Sequence, residues 1–171
     1  MPADIEHRAP ALQGRAAGLV RMLDLVPHVE GGFFREIWRS KDVVAPADRR
    51  GKRAALTSIY FLLPRGAVSR WHRVRSDELW HHCEGDPLEL WLMSPEQPSL
   101  SKLALGALAH DREPVRAVPA GWWQAATPLG EYTLVSCSVA PGFDFSDFEL
   151  LAEQPASDAL QRARDDASEL L

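Results

Sequence analysis

The chain has little of what marks a specialised class, and each shortage excludes something. Two cysteines in 171 residues, Cys83 and Cys137, cannot make a disulfide framework. Both lie in apolar, strand-like runs, where free thiols are expected to pack as small buried hydrophobes. No apolar run approaches the ~18 residues of a membrane span; even Ile59 to Leu63 stops at Pro64-Arg65. The opening MPADIEHRAP is polar and acidic, without the apolar run of a secretory leader, so the expected location is cytoplasmic with both thiols reduced. Positive charge is scarce too: formal net charge is -5, which leaves no basic footprint for nucleic acid. The basic cluster Arg49-Arg50-Gly51-Lys52-Arg53 reads as a solvated loop, with a phosphate or acidic-partner contact as the alternative. Internal repeats and low-complexity tracts are also missing.

What is present is a succession of short β-prone segments. Leu12, Ala16, Leu19, Met22, Leu23 and Val26 recur at helical spacing and predict a helix over about 11–26, ended by Pro27. Strands are expected at Phe33 to Arg39, Leu56 to Leu63, Leu88 to Met93, Leu100 to Leu105, Val115 to Val118 and Glu131 to Val139. The phenylalanines and acids of Phe143 to Leu150 read as a covering strand with an apolar inner face. Residues 40 to 54 read as a loop. After Pro155 a weak amphipathic helix carries Ala156, Ala159, Leu160, Ala163 and Ala167, residues small enough that loose docking is expected. The domain reading is one all-β sandwich or barrel over 1–154 and a tail over 155–171.

Chemistry concentrates between Gly66 and Gly85, GAVSRWHRVRSDELWHHCEG. Val68 to Val74 and Glu78 to Cys83 read as a hairpin joined by Arg75-Ser76-Asp77, which would bring His72 and Glu78 to one face. A histidine and a carboxylate there can hold a metal, act as a base and its orienter, or satisfy each other. In a regular strand Trp80 and His82 face inward and His81 outward, unless a bulge swaps them.

The spacing then carries a resemblance. Gly66, His72, Glu78 and Gly85 fit the first signature of the cupin superfamily, with Val74 at the second histidine. Pro119, Gly121 and Gln124 fit the frame of the second signature, with Gln124 at its histidine. PHVEGGFFREIWRS (27 to 40), TSIYFLL (57 to 63), WHRVRSDELWHHCEGDPLELWLM (71 to 93), VPAGWWQAA (118 to 126) and VAPGFDFSDFEL (139 to 150) resemble the cupin-5 or DUF985 branch.

The resemblance implies a double-stranded β-helix, or jelly roll, similar to sugar epimerases, with a short N-terminal helix and a C-terminal helical tail. It also implies a homodimer and a small-molecule ligand, with no nucleic acid and no membrane. The family metal site uses three histidines and a glutamate; here only His72, Glu78 and Gln124 remain, so no firm cofactor is expected beyond a weakly bound divalent ion. By analogy with the epimerases, His72 is the candidate base, Glu78 its orienter, and Tyr60 or Tyr132 the acid of a metal-independent isomerase acting on a sugar-like metabolite. Trp80, His81, His82, Trp122, Gln124 and Glu30 are candidate ligand contacts. Arg35, Glu36 and Arg70 are assigned to a surface or subunit interface. The alternatives are a non-catalytic ligand-binding or sensing cupin and a metal-dependent dioxygenase.

Overall fold

The computed structural model describes residues 12–97, 99–155 and 157–171. In chain order it contains α1 (Gly14–Met22), β1 (Val26–Pro27), β2 (Phe33–Arg39), β3 (Val43–Val44), β4 (Arg53–Ala54), β5 (Thr57–Pro64) and β6 (Ser69–Val74). There follow β7 (Asp77–Gly85), β8 (Leu88–Met93), β9 (Leu100–Leu105), β10 (Val115–Val118), β11 (Trp123–Pro128), β12 (Tyr132–Ala140), β13 (Phe148–Leu150) and α2 (Asp158–Ala167). Two antiparallel sheets face each other, one ordered β1-β2-β5-β12-β7-β10 and the other β13-β6-β11-β8-β9. No helix among the described residues is long and apolar enough to cross a membrane.

The expected hairpin is replaced by a crossing between sheets. β6 belongs to the smaller sheet and β7 to the larger, and Arg75-Ser76 carries the chain across. His72 and Glu78 therefore face one cavity from opposite sheets, not along one strand pair, and Glu78 is not the expected orienter of His72: His72 pairs with Glu30 and Glu78 with Gln124. Sequence alternation gave the correct inward faces, but it cannot distinguish a hairpin turn from a corner between sheets.

The larger sheet sorts its residues by row. Glu36, Ile59, Cys137 and Trp80 lie directly opposite one another on the inner face, and so do Arg39, Thr57, Val139 and Glu78. Between these rows β5, β12 and β7 advance two residues, whereas β2 advances three. Ile37 is the extra residue, at a shift in the β2–β5 register between Glu36 and Trp38. A second shift, in β7 after His82, leaves Cys83 outside the ladder.

Towards one end of the barrel the inner rows are apolar: Phe61, Leu63, Trp80, Leu88, Leu90, Leu105 and Val135 are 0–2% exposed and form one cluster. Each such side chain contributes roughly 1.5–3 kcal/mol of burial. Towards the other end the same strands present Thr57, Ile59, Glu78, Cys137 and Val139 to an open cavity. The core is a plug, and the site lies above it.

Several boundaries differ from expectation. α1 stops at Met22, because Asp24 takes a left-handed backbone conformation and Val26–Pro27 pairs with β2. The stretch after Ala140 is a strap with a 3-10 turn at Phe145–Asp147, not a long strand; Asp144 caps the turn by accepting from the Ser146 backbone N–H at 2.9 Å. The basic cluster is not simply solvated: Arg53 donates twice to Asp147 at 2.8 Å, and the buried Arg50 lies 3.4 Å from the same carboxylate. Its acidic partner is the strap of its own chain. Cys83 is exposed while Cys137 is buried. α2 docks closely: Leu160, Ala163 and Ala167 pack with Trp71, Trp91, Trp123 and Leu151 on the outer face of the smaller sheet. The small alanines expected to loosen it instead let its backbone approach the indoles. Ala156 lies outside the described residues.

Candidate functional site

A cavity of about 350 Å³ opens at the polar end of the barrel, within the range of small-molecule sites. Its walls include Phe34, Ile59, Val74, Val139, Phe143, Phe145 and Phe148, and its polar groups are His28, Glu30, Glu36, Arg39, Thr57, His72, Glu78, Cys137 and Asp144.

Glu30 arrives on the loop before β2. Gly31 in that loop has φ +109°, and a side chain on it would collide with the Val68 carbonyl. Glycine thus lets the loop lie against the start of β6, where the Arg70 N–H donates to the Glu30 carbonyl at 2.8 Å. The Glu30 carboxyl then reaches inward: Ser69 Oγ donates to Oε1 at 3.2 Å, and Oε2 lies 3.1 Å from His72 Nε2.

The proton positions follow from the partners. His72 Nδ1 lies 2.7 Å from the Arg70 carbonyl oxygen, which can only accept, so Nδ1 carries a hydrogen. One further proton must sit between Nε2 and Glu30. Burial lowers the pKa of His72 and raises that of Glu30 to about 7, so both favour the neutral arrangement, in which the Glu30 carboxyl donates to Nε2. His28, likewise lowered by burial, accepts the Glu30 N–H at Nδ1 at 3.2 Å.

Glu78 occupies a second buried position. Gln124 pairs directly with His72 across β6 and β11, and its Nε2 donates to Glu78 Oε2 at 2.6 Å. The Gln124 amide cannot flip, because the Trp80 indole N–H, a donor only, approaches its Oε1 at 2.9 Å. Burial raises the Glu78 carboxyl to about 7, and the Cys137 thiol beside it is raised too. Two carboxyls are thus held by side chains on neighbouring strands, whose spacing is about 4.8 Å.

The donor set does not fit the family metal. Val74 has no ligating atom, the Gln124 oxygen is turned to an indole, and the Glu30 carboxyl occupies His72 Nε2. Among the described residues no group of three His, Cys, Asp or Glu is arranged to hold an ion.

Of the expected site residues, His72, Glu78 and Glu30 line the cavity, and Gln124 supports it from one hydrogen bond away. Tyr60 and Tyr132 do not reach it. Tyr60 lies in the outer row Arg35, Tyr60, Ser136, His81 and Val115, and both tyrosines pack beneath α1. Tyr132 donates to Glu84 at 2.7 Å. The expectation failed because strand membership does not identify a face. His81 points outward with Tyr60, while His82 shares the inner row of Phe34, Phe61 and Val135. His82 bonds to the Gly85 carbonyl instead of entering the cavity, and Trp80 and Trp122 belong to the plug. Sequence reasoning missed His28, Glu36, Arg39, Cys137 and the phenylalanine wall. Glu36, assigned to a surface, lines the cavity mouth; for Cys137, alternation along β12 was a usable signal.

Fold and site together define a jelly-roll protein with a cavity of about 350 Å³ at one end. Residues 17–151 match the family described as Cupin superfamily (DUF985), and the chain belongs to it. A protein from Shewanella oneidensis is similar at 35% identity and TM-score 0.78, covering 93% of this chain and 98% of its own. A hypothetical protein from Leishmania major has 30% identity and TM-score 0.77, covering 91% of this chain and 96% of its own. These shares reach past residue 154, so the likeness extends into the tail. Oxalate decarboxylase from Bacillus subtilis is similar in fold alone, at 16% identity and TM-score 0.54 over 75% of this chain and 32% of its own. Among curated proteins none matches the sequence.

Proposed function

We propose that the chain is an isomerase or epimerase that moves a proton on a small polar, sugar-like metabolite without a metal. One observation carries the reading: a buried carboxyl 3.1 Å from an imidazole nitrogen, and a second buried carboxyl, facing one largely apolar cavity. Glu78, ionised in part near neutral pH, takes the proton from a carbon next to a carbonyl. The C–H electron pair forms a C=C bond, and the carbonyl oxygen takes the Glu30–His72 proton. Reversal at the neighbouring carbon, or at the other face, completes isomerisation or epimerisation. Glu30 takes the acid role that the tyrosines cannot reach, and His72, fixed by the Arg70 carbonyl, orients the Glu30 carboxyl.

The test is deuterium exchange. Wild type, incubated in D2O with a panel of aldoses and ketoses, should wash deuterium into the carbon beside the carbonyl of its substrate. His72→Ala should stop exchange while the circular dichroism stays native. Binding of a panel member without exchange would sink the reading. It would support the second one, a ligand-binding or sensing cupin, which is favoured by how completely the polar groups satisfy one another. A full equivalent of tightly held metal per chain would instead revive the dioxygenase reading.

The same reading includes a homodimer in the cytoplasm. On the outer face of the larger sheet Trp38, Ser58, Ser138 and Leu79 form one row, with Trp38 59% and Leu79 41% exposed, apolar side chains that a second copy would cover. Light scattering at micromolar concentration should give twice 19.0 kDa; a monomer mass would contradict it.

A further inference from the structure

The ionisable lining of the cavity is weighted towards carboxyls. Glu30, Glu36, Glu78 and Asp144 face it among the described residues, against a single arginine, Arg39. That arginine is already engaged. Its Nε and Nη2 donate to both oxygens of Glu36, at 3.0 and 2.7 Å, and its Nη1 donates to the Phe143 carbonyl at 3.3 Å. The fork that would grip a phosphate or carboxylate is filled by a side chain three residues away on the same strand.

An unbroken strand would not place the two together. Residues three apart point to opposite faces, so Arg39 would face solvent if Glu36 faced in. The extra residue Ile37 resets the alternation and brings both to the cavity wall, Glu36 opposite Ile59 and Arg39 opposite Thr57. A bulge at a site rim re-aims a side chain, and here it brings a cation to the mouth together with the group that cancels it.

We infer that Glu36 is a specificity-determining residue: by occupying Arg39 it makes the cavity refuse anions and admit uncharged hydroxyl- and carbonyl-bearing molecules. The inference rests on reading the cavity as a ligand site and narrows its substrate class. A phosphate ester or sugar nucleotide would bring its charge against Glu36 and Asp144, with the one lining arginine among the described residues already paired. An unphosphorylated sugar or a similar neutral carbonyl compound meets no such barrier. Its hydroxyls face Glu30, His72 and Glu78, and its C–H face meets the phenylalanines.

Inorganic phosphate is the probe, followed by phosphorus NMR line broadening and calorimetry on the full chain at low salt. Wild type should show no saturable binding. Glu36→Gln, which keeps the side-chain shape and releases the guanidinium, should bind phosphate at least about tenfold more tightly than wild type. The E36Q/R39Q double variant should lose that gain. The two side chains are 39% and 46% exposed, so the fold should tolerate the changes, and Glu36→Ser serves if E36Q proves unstable. Wild type binding phosphate as well as E36Q overturns the inference. So does a folded E36Q or E36S that gains nothing, or a gain that survives loss of Arg39. Phosphate binding is read without turnover, so failure of the exchange test and failure of this one are separable.

Discussion

Glu78 and Glu84 lie six residues apart on β7, a separation that in a regular strand puts both on one face. They end in opposite surroundings. Glu78 is buried on the inner face against Gln124, and desolvation raises its carboxyl to about 7. Glu84 is on the outer face, receives two hydrogen bonds from Arg15 at 2.7 and 2.8 Å and one from Tyr132, and is lowered to about 2. One extra residue, Cys83, separates them. The same side chain is a proton carrier at one position and a surface anchor for α1 at the other, and the phase of the strand makes the difference.

That contrast can be broken most severely by inserting an alanine between Cys83 and Glu84. With Cys83 still outside the ladder, the alanine would take the place opposite Leu134 and Glu84 would turn inward, opposite Thr133 and beside the apolar plug. An unpaired buried carboxylate costs about 3–5 kcal/mol, enough to abolish cooperative thermal unfolding in a domain of ordinary stability. An insertion variant that melts as wild type does would show that the phase of the strand is incidental.

The middle-sized effect is a pH profile. Carboxyls raised in the fold bind protons that the unfolded chain has released, so their stabilisation is full below about pH 4.5 and lost as pH rises through about 7. Glu30→Gln and Glu78→Gln should each flatten that decline, by on the order of 1–3 kcal/mol across the window. In the double variant the slope should reverse. His28 and His72, lowered by burial, lose stabilisation as pH falls below 6.5 and would then dominate. Urea midpoints from pH 5 to 8 read both signs, and an unchanged slope in E30Q/E78Q would contradict the burial of these protons.

The smallest effect belongs to Glu84→Gln. A depressed carboxylate stabilises above its unfolded value and loses that as pH falls through about 2. Because this pair is exposed, the loss at neutral pH should be slight and shrink further in salt. A loss at E84Q as large as that from the insertion after Cys83 would erase the distinction between the two faces.

Much of this was legible in the sequence. The spacing of Gly66, His72, Glu78 and Gly85 announced the jelly roll, and the inward phases of His72 and Glu78 followed from alternation. The missing ligands at Val74 and Gln124 were visible by counting. The acid was not. Glu30 sits 42 residues before His72, and only the close approach of the Gly31 loop to β6 brings them together. The tyrosines were misplaced because an interior strand has two covered faces here, one against the plug and cavity and one beneath α1.

Local chemistry fixed which residues are β-prone, which turn, and which carry protons, because those properties belong to side chains and their near neighbours. Tertiary structure decided which face each residue serves. Two single-residue register shifts, at Ile37 and Cys83, placed the Glu36–Arg39 pair in the cavity mouth and sent Glu84 to the surface. Such shifts depend on the partner strand, and the strand's own sequence does not encode them.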